Sequence, residues 1–411
     1  MVGFCILAGI LLVIFSASFI LVVIETIQSE YSYVSIPPGV NNPGKLRLVL
    51  ASMISTSVMG KILEKLEVCS ELAFTRYMRS GKKLGPDPQL WLTDEQFCRV
   101  PVRVYRPRAP SAGLRTAAIF FHGGGWRYCG IDFYEKICRY IAKETDSVVV
   151  SVGYRLAPEH KYPAAYEDCL NATIHFMKNT QHYGVDPDNV IVCGDSAGGN
   201  LAAAVSHTLV GRSDLPKLRA QILLYPGLQG VDFNLPSYQQ NRGVPLLLRE
   251  RAAFYALQYL RGDALDLKEV LEGSHIPPDM RLKYRKWVSP DNIPEQFKVR
   301  GYKPHQPPEF KADVYEAVKR FCEPNLCPLL AEDAVIQQLP ESFILTCEYD
   351  VLRDDGLLYK KRLEDNGVRV TWYHLEDGFH GIISLYEFYS FFSFPSGKRG
   401  LDRVLKFIKG L

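Results

Sequence analysis

At 411 residues the chain is longer than one average domain but within the range of a single α/β domain that carries insertions. Its 48 basic and 45 acidic side chains leave a net charge of +3. They lie in short mixed clusters with no run of Lys and Arg, which argues against nucleic acid as a partner.

Residues Val2 to Ile24 carry no charged side chain and are mainly Ile, Leu, Val, Phe and Ala. A helix of roughly 20 apolar residues, rising about 1.5 Å per residue, matches the hydrocarbon thickness of a bilayer. Residues 1–24 are therefore predicted to form an uncleaved signal-anchor transmembrane helix. A cleavable signal peptide has an apolar region of only about 7–15 residues. Here Phe19 to Ile24 prolong the apolar run beyond the small residues Ser16, Ala17 and Ser18. Residues 25–100 read as a stalk and N-terminal cap helices. A Pro/Gly/Asn turn at 37–44 precedes a helical stretch with Leu48, Ile54, Met59, Ile62 and Leu66.

From Val102 the rhythm changes to short β-rich runs separated by helical ones: 102–105, 117–121, 148–152, 190–193, 222–225, 343–346 and 368–372. Continuous apolar runs are what strands covered on both faces require. The alternation predicts an α/β fold with a mostly parallel sheet. Residues 101–230 and 341–411 are its two parts. Residues 231–340 break the alternation with helical segments such as 248–260 and 314–321 among Pro-rich turns, an insertion expected to cap a functional face. The ten cysteines are scattered, and the Cys322 to Cys327 spacing has no matching second pair. No metal site is expected, and both disulfides and buried thiols stay open.

Gly194-Asp195-Ser196-Ala197-Gly198 directly follows one apolar run and opens a helix-forming segment. That is the context in which G-x-S-x-G presents a nucleophilic serine on a sharp strand-to-helix turn. Alone, the motif is equally a glycine-rich turn with a capping serine. His122-Gly123-Gly124-Gly125-Trp126 follows an earlier run, and such glycines let main-chain N–H groups approach an oxyanion. Both motifs fall where α/β sheets bind ligands, at strand C-terminal ends. A nucleophilic serine needs a base, and the base an acid. In the order Ser, acid, His, Asp350 follows one strand and His380 lies in a Gly-flanked loop after the next. Asp354 and Asp355 follow the same strand as Asp350, and His207, His275, His305 and His374 also follow the serine.

These motifs, with Tyr154-Arg155-Leu156-Ala157-Pro158-Glu159, Tyr349-Asp350-Val351-Leu352-Arg353-Asp354-Asp355 and Asp377-Gly378-Phe379-His380, resemble the signature set of the hormone-sensitive-lipase branch of α/β-hydrolases. Over nearly its whole length the chain resembles the arylacetamide deacetylase family. The resemblance implies an α/β-hydrolase fold with a helical cap and an N-terminal transmembrane helix. It implies Ser196 as nucleophile, Asp350 as acid and His380 as base, with an oxyanion hole of Gly123, Gly124 and Ala197 in which Gly125 could replace one of the glycines. The activity implied is cleavage of lipophilic carboxylic esters or amides through an acyl-enzyme, without a cofactor. A non-catalytic small-molecule binder on the same fold and an acyltransferase are the alternatives. Where the family resembles His-Gly-Gly-Gly-Trp-Cys, this chain has Arg127 after Trp126 and its cysteine at Cys129, so a disulfide from this loop to Cys347 stays open. Asn171-Ala172-Thr173 is a glycan acceptor triplet on a polar helical face. Together with the resemblance it predicts a single-pass type II protein whose catalytic body lies in the endoplasmic reticulum lumen.

Overall fold

A computed structural model describes residues 2–386 and 393–411. Its centre is an eight-stranded sheet. The strands are β1 (Leu90–Phe97), β2 (Val100–Pro107), β3 (Arg115–Phe121), β4 (Val148–Val152), β5 (Val185–Asp195), β6 (Ala220–Leu224), β7 (Glu341–Tyr349) and β8 (Val370–Phe379). They lie in the order β1-β2-β4-β3-β5-β6-β7-β8. β1 and β2 pair antiparallel, as do β2 and β4, and every pairing from β4 through β8 is parallel. All five residues of β4 are buried, as are those of β6. That burial is why their sequences read as continuous apolar runs.

β1 corrects the sequence reading, which assigned residues 25–100 to stalk and helices alone. It is an edge strand whose exposed and half-exposed positions include Thr93, Asp94, Glu95 and Gln96. Charges of this kind keep an edge from pairing with other chains and also erase the apolar run that marks a strand.

Helices cover both faces. α1 (Val2–Glu30), α2 (Pro43–Lys65) and α3 (Glu71–Met78) precede the sheet. α4 (Ile131–Thr145) and the C-terminal helix Pro395–Ile408 pack on one face. α5 (Ala164–Lys178), α6 (Ala197–Val210) and the helix Arg353–Asp365 pack on the other. α1 runs past Ile24 without a stalk, and its last turns dock through buried Val22 and Thr26. Glu30 then gathers Lys61 of α2 and Arg251 of the insertion. Ser57 of α2 joins them, its Oγ lying 3.1 Å from Glu30 Oε2 and 2.9 Å from Glu71 Oε1 of α3. This polar clasp holds α2 and α3 against the insertion helix Arg249–Arg261. The nine cysteines whose side chains are described are free thiols, Cys129 and Cys347 among them, so the loop-to-Cys347 disulfide is not formed.

Candidate active site

β5 delivers Ser196 onto a turn with φ 54° and ψ −118°, after which α6 begins at Ala197. A non-glycine residue held in that region costs on the order of 1–3 kcal/mol and persists only when its surroundings enforce it. Enforcement comes from the Ser196 N–H, donated to Leu224 O of β6 at 2.8 Å, and from the two flanking glycines. A Cβ on Gly198 would be driven into the Phe121 carbonyl of β3, and one on Gly194 into the Gly198 carbonyl. The G-x-S-x-G spacing is thus a steric requirement of the turn.

Ser196 Oγ lies 2.8 Å from His380 Nε2, and His380 Nδ1 lies 2.8 Å from Asp350 Oδ2. Asp350 is 1% exposed, and its other oxygen accepts the Leu352 N–H at 2.8 Å. Asn241 from the insertion donates to the Asp350 carbonyl at 2.9 Å, and Tyr225 sets its ring edge-on to His380 at 5.1 Å. The other acids of this stretch point elsewhere. Asp354 accepts the Ser237 N–H at 2.6 Å and pairs with Arg353, while Asp355 accepts the Leu228 N–H at 2.8 Å. The other histidines after the serine are bonded away from it. His207 meets Tyr359, His275 the Gly230 carbonyl, His305 the Glu272 carbonyl, and His374 both Thr346 and Glu348.

The glycine loop corrects one expectation. The Gly123 N–H already donates to Asp195 Oδ1 at 2.8 Å and is not available to an oxyanion. The N–H groups of Gly124, Gly125 and Ala197 have no acceptor among the described residues. Gly124 and Gly125 adopt φ of 111° and 62°, which suits glycine. Asp195, inside the nucleophile motif, is the anchor that sequence reasoning passed over. It also accepts from Tyr134 Oη at 2.9 Å and Tyr225 Oη at 3.5 Å. Burial pushes its carboxyl up to about 6 in spite of these donors. His122 steadies the loop from behind, with Nδ1 donating to Gly123 O at 2.8 Å while Tyr154 Oη donates to His122 O at 2.6 Å. Burial lowers its imidazole to about 4, so it is a neutral structural group at pH 7. The Tyr154 to Glu159 segment thus braces this corner, with the Ala157 N–H also donating to Trp126 O at 2.8 Å.

Ser196 stands between two cavities. The larger, about 260 Å³, also touches His380 and Gly124 and is roofed by α2 through Val49, Ser52, Met53 and Thr56. The smaller, about 50 Å³, is lined by Gly125 and Ala197 together with Phe233, Phe321 and Leu352.

A family model described as alpha/beta hydrolase fold matches residues 118–274 and 302–384. Arylacetamide deacetylase-like 4 of Homo sapiens is 44% identical over 402 residues, 98% of this chain and 98% of that protein. The chain belongs to the arylacetamide deacetylase family. Arylacetamide deacetylase of Oryctolagus cuniculus, another relative in that family, is 36% identical over 374 residues, 89% of this chain and 93% of its own. Among solved structures, a thermophilic carboxylesterase cloned from a metagenomic library aligns with a TM-score of 0.59 at 27% identity, over 80% of this chain and 90% of that one. As an arylacetamide deacetylase family member, the chain is a hydrolase of the α/β-hydrolase fold.

Proposed function

We propose that the chain is a serine carboxylester or amide hydrolase whose catalytic triad is Ser196, His380 and Asp350. The observation that carries this reading is the unbroken hydrogen-bonded line from Ser196 Oγ through His380 to Asp350 on a strained turn. Ser196 Oγ attacks the acyl carbonyl as His380 Nε2 takes its proton, and Asp350 holds the imidazole in the required tautomer. The oxyanion meets the N–H groups of Gly124, Gly125 and Ala197, each such donor contributing about 3 kcal/mol in comparable enzymes. His380 returns the proton to the leaving alcohol or amine. Water, deprotonated by the same imidazole, then frees the acid.

Cavity sizes point to the substrate class. A space of about 50 Å³ suits a short acyl group, and the cavity of about 260 Å³ suits a bulkier, lipophilic leaving group. The names of the relatives agree with deacylation of that kind. α1 supports membrane attachment. Its 29 residues extend about 44 Å, and Ile6, Leu7, Ile10, Val13 and Phe19 are exposed along it. Among the described residues α2 is the helix long and apolar enough to cross a membrane, but its buried Leu46 and Val49 and its place over the cavity favour packing on the body.

The test is labelling of the full-length chain by a fluorophosphonate probe. Labelling is expected in the wild type and absent in Ser196→Ala, and full labelling of the variant would remove Ser196 from the role. A binding protein would not label. An acyltransferase would, and products formed with added alcohol would identify it.

A further inference from the structure

Resting on the hydrolase reading, we propose that the leaving group in the larger cavity carries an anion, held by Arg79. Arg79 follows α3 and lines the same cavity as Ser196 and His380. It is the one permanently charged side chain among the described residues of that lining, and no carboxylate joins it there. It makes no ion pair or side-chain hydrogen bond among the described residues, and its guanidinium rests 4.9 Å from the Tyr128 ring centre.

The arginines around it are all engaged. Arg76 grips Glu159 with two nitrogens at 2.7 and 2.8 Å, Arg127 bonds Gln258 and the Tyr128 hydroxyl, and Arg251 pairs with Glu30. A half-buried guanidinium facing a largely apolar cavity without a counter-charge is unfavourable by itself. An anionic ligand removes that cost. The local field favours one: burial pushes the Tyr255 phenol up, yet Arg251 and Arg79 outweigh it and hold it below its ordinary value. The hydroxyl of Ser52 on α2 lines the same space and can donate to the anion, whereas Thr56 Oγ1 already donates to Ser52 O at 2.8 Å. The guanidinium fork recognises carboxylate, sulfate or phosphate oxygens in pairs.

The experiment uses the full chain in lipid nanodiscs with three aryl acetates that share the scissile bond. These are 4-(4-acetoxyphenyl)butyrate, its neutral amide, and the corresponding alkyl sulfate. Wild-type kcat/KM is expected to favour the anions over the amide by at least about tenfold, as a charge-assisted pair allows. The rank of carboxylate against sulfate identifies the preferred anion. Arg79→Gln should bring the anion-to-amide ratio close to one, while Arg79→Lys keeps part of it. A folding defect lowers all three rates together and leaves the ratio in place. A wild-type ratio near one, or the same ratio in Arg79→Gln, overturns the proposal. If no acetate is cleaved, the hydrolase reading fails. Calorimetry of Ser196→Ala with 4-phenylbutyrate and 4-phenylbutanamide then reads the anion site alone, and equal affinity for the two overturns it.

Discussion

Asp350, Asp354 and Asp355 follow one strand, and side-chain direction alone separates them. Asp350 reaches His380, whereas Asp354 is buried against Arg353 and the Ser237 N–H. Asp350→Asn should lower kcat/KM about ten-thousandfold, because an amide favours the wrong histidine tautomer. Asp354→Asn should cost stability, about 2 kcal/mol for a weakened charged hydrogen bond, and leave the probe-labelling rate near that of the wild type. Labelling kinetics beside a urea titration of both variants checks the pair, and a ranking reversed in labelling would move the acid to Asp354. The same scale explains the Gly123 correction. Three consecutive glycines are indistinguishable in sequence, and the Asp195 carboxylate decides which N–H is occupied.

Among the elements, α5 bears on the expected lumenal placement of the body. Asn171 is exposed on it, while Thr173 of the same triplet is buried and donates its hydroxyl to Cys169 O at 2.8 Å. Enzymatic recognition of the triplet therefore has to precede packing of α5, as it does when a chain is modified during translocation. We expect full-length protein from mammalian cells to gain mobility after endoglycosidase treatment, with Asn171→Gln unaffected. Digestion of the catalytic body by protease added to intact microsomes would overturn the lumenal placement. α2 teaches a related lesson. By composition it passes for a membrane span, yet Ser57 and Lys61 tie it to Glu30 and its other residues roof the cavity.

For the molecule as a whole, buried titratable groups set the response to acid. Burial lowers His122, His207 and His275 to about 4, 3 and 4. The unfolded chain takes up these protons below about pH 6.5, the folded chain much later, so their stabilising contribution is complete above about 6.5 and is lost on acidification. Asp355 runs the opposite way, since burial raises its carboxyl to about 7 and the fold holds a proton that the unfolded chain releases. His207→Gln should reduce the acid-side slope of unfolding free energy by about 1.4 kcal/mol per pH unit between pH 6 and 4, with no change in slope above pH 7. Urea titrations across that range test it, and an unchanged slope would show that His207 already titrates alike in both states. The apolar runs, the alternation of strand and helix and the small residues around Ser196 were legible in sequence, because each reflects local sterics or burial on both faces. β1 was not, because an edge strand is masked by its charges. The engagement of Gly123 by Asp195 and the isolation of Arg79 in the cavity belong to the tertiary structure. Each depends on where side chains from distant segments point, and no local pattern encodes that.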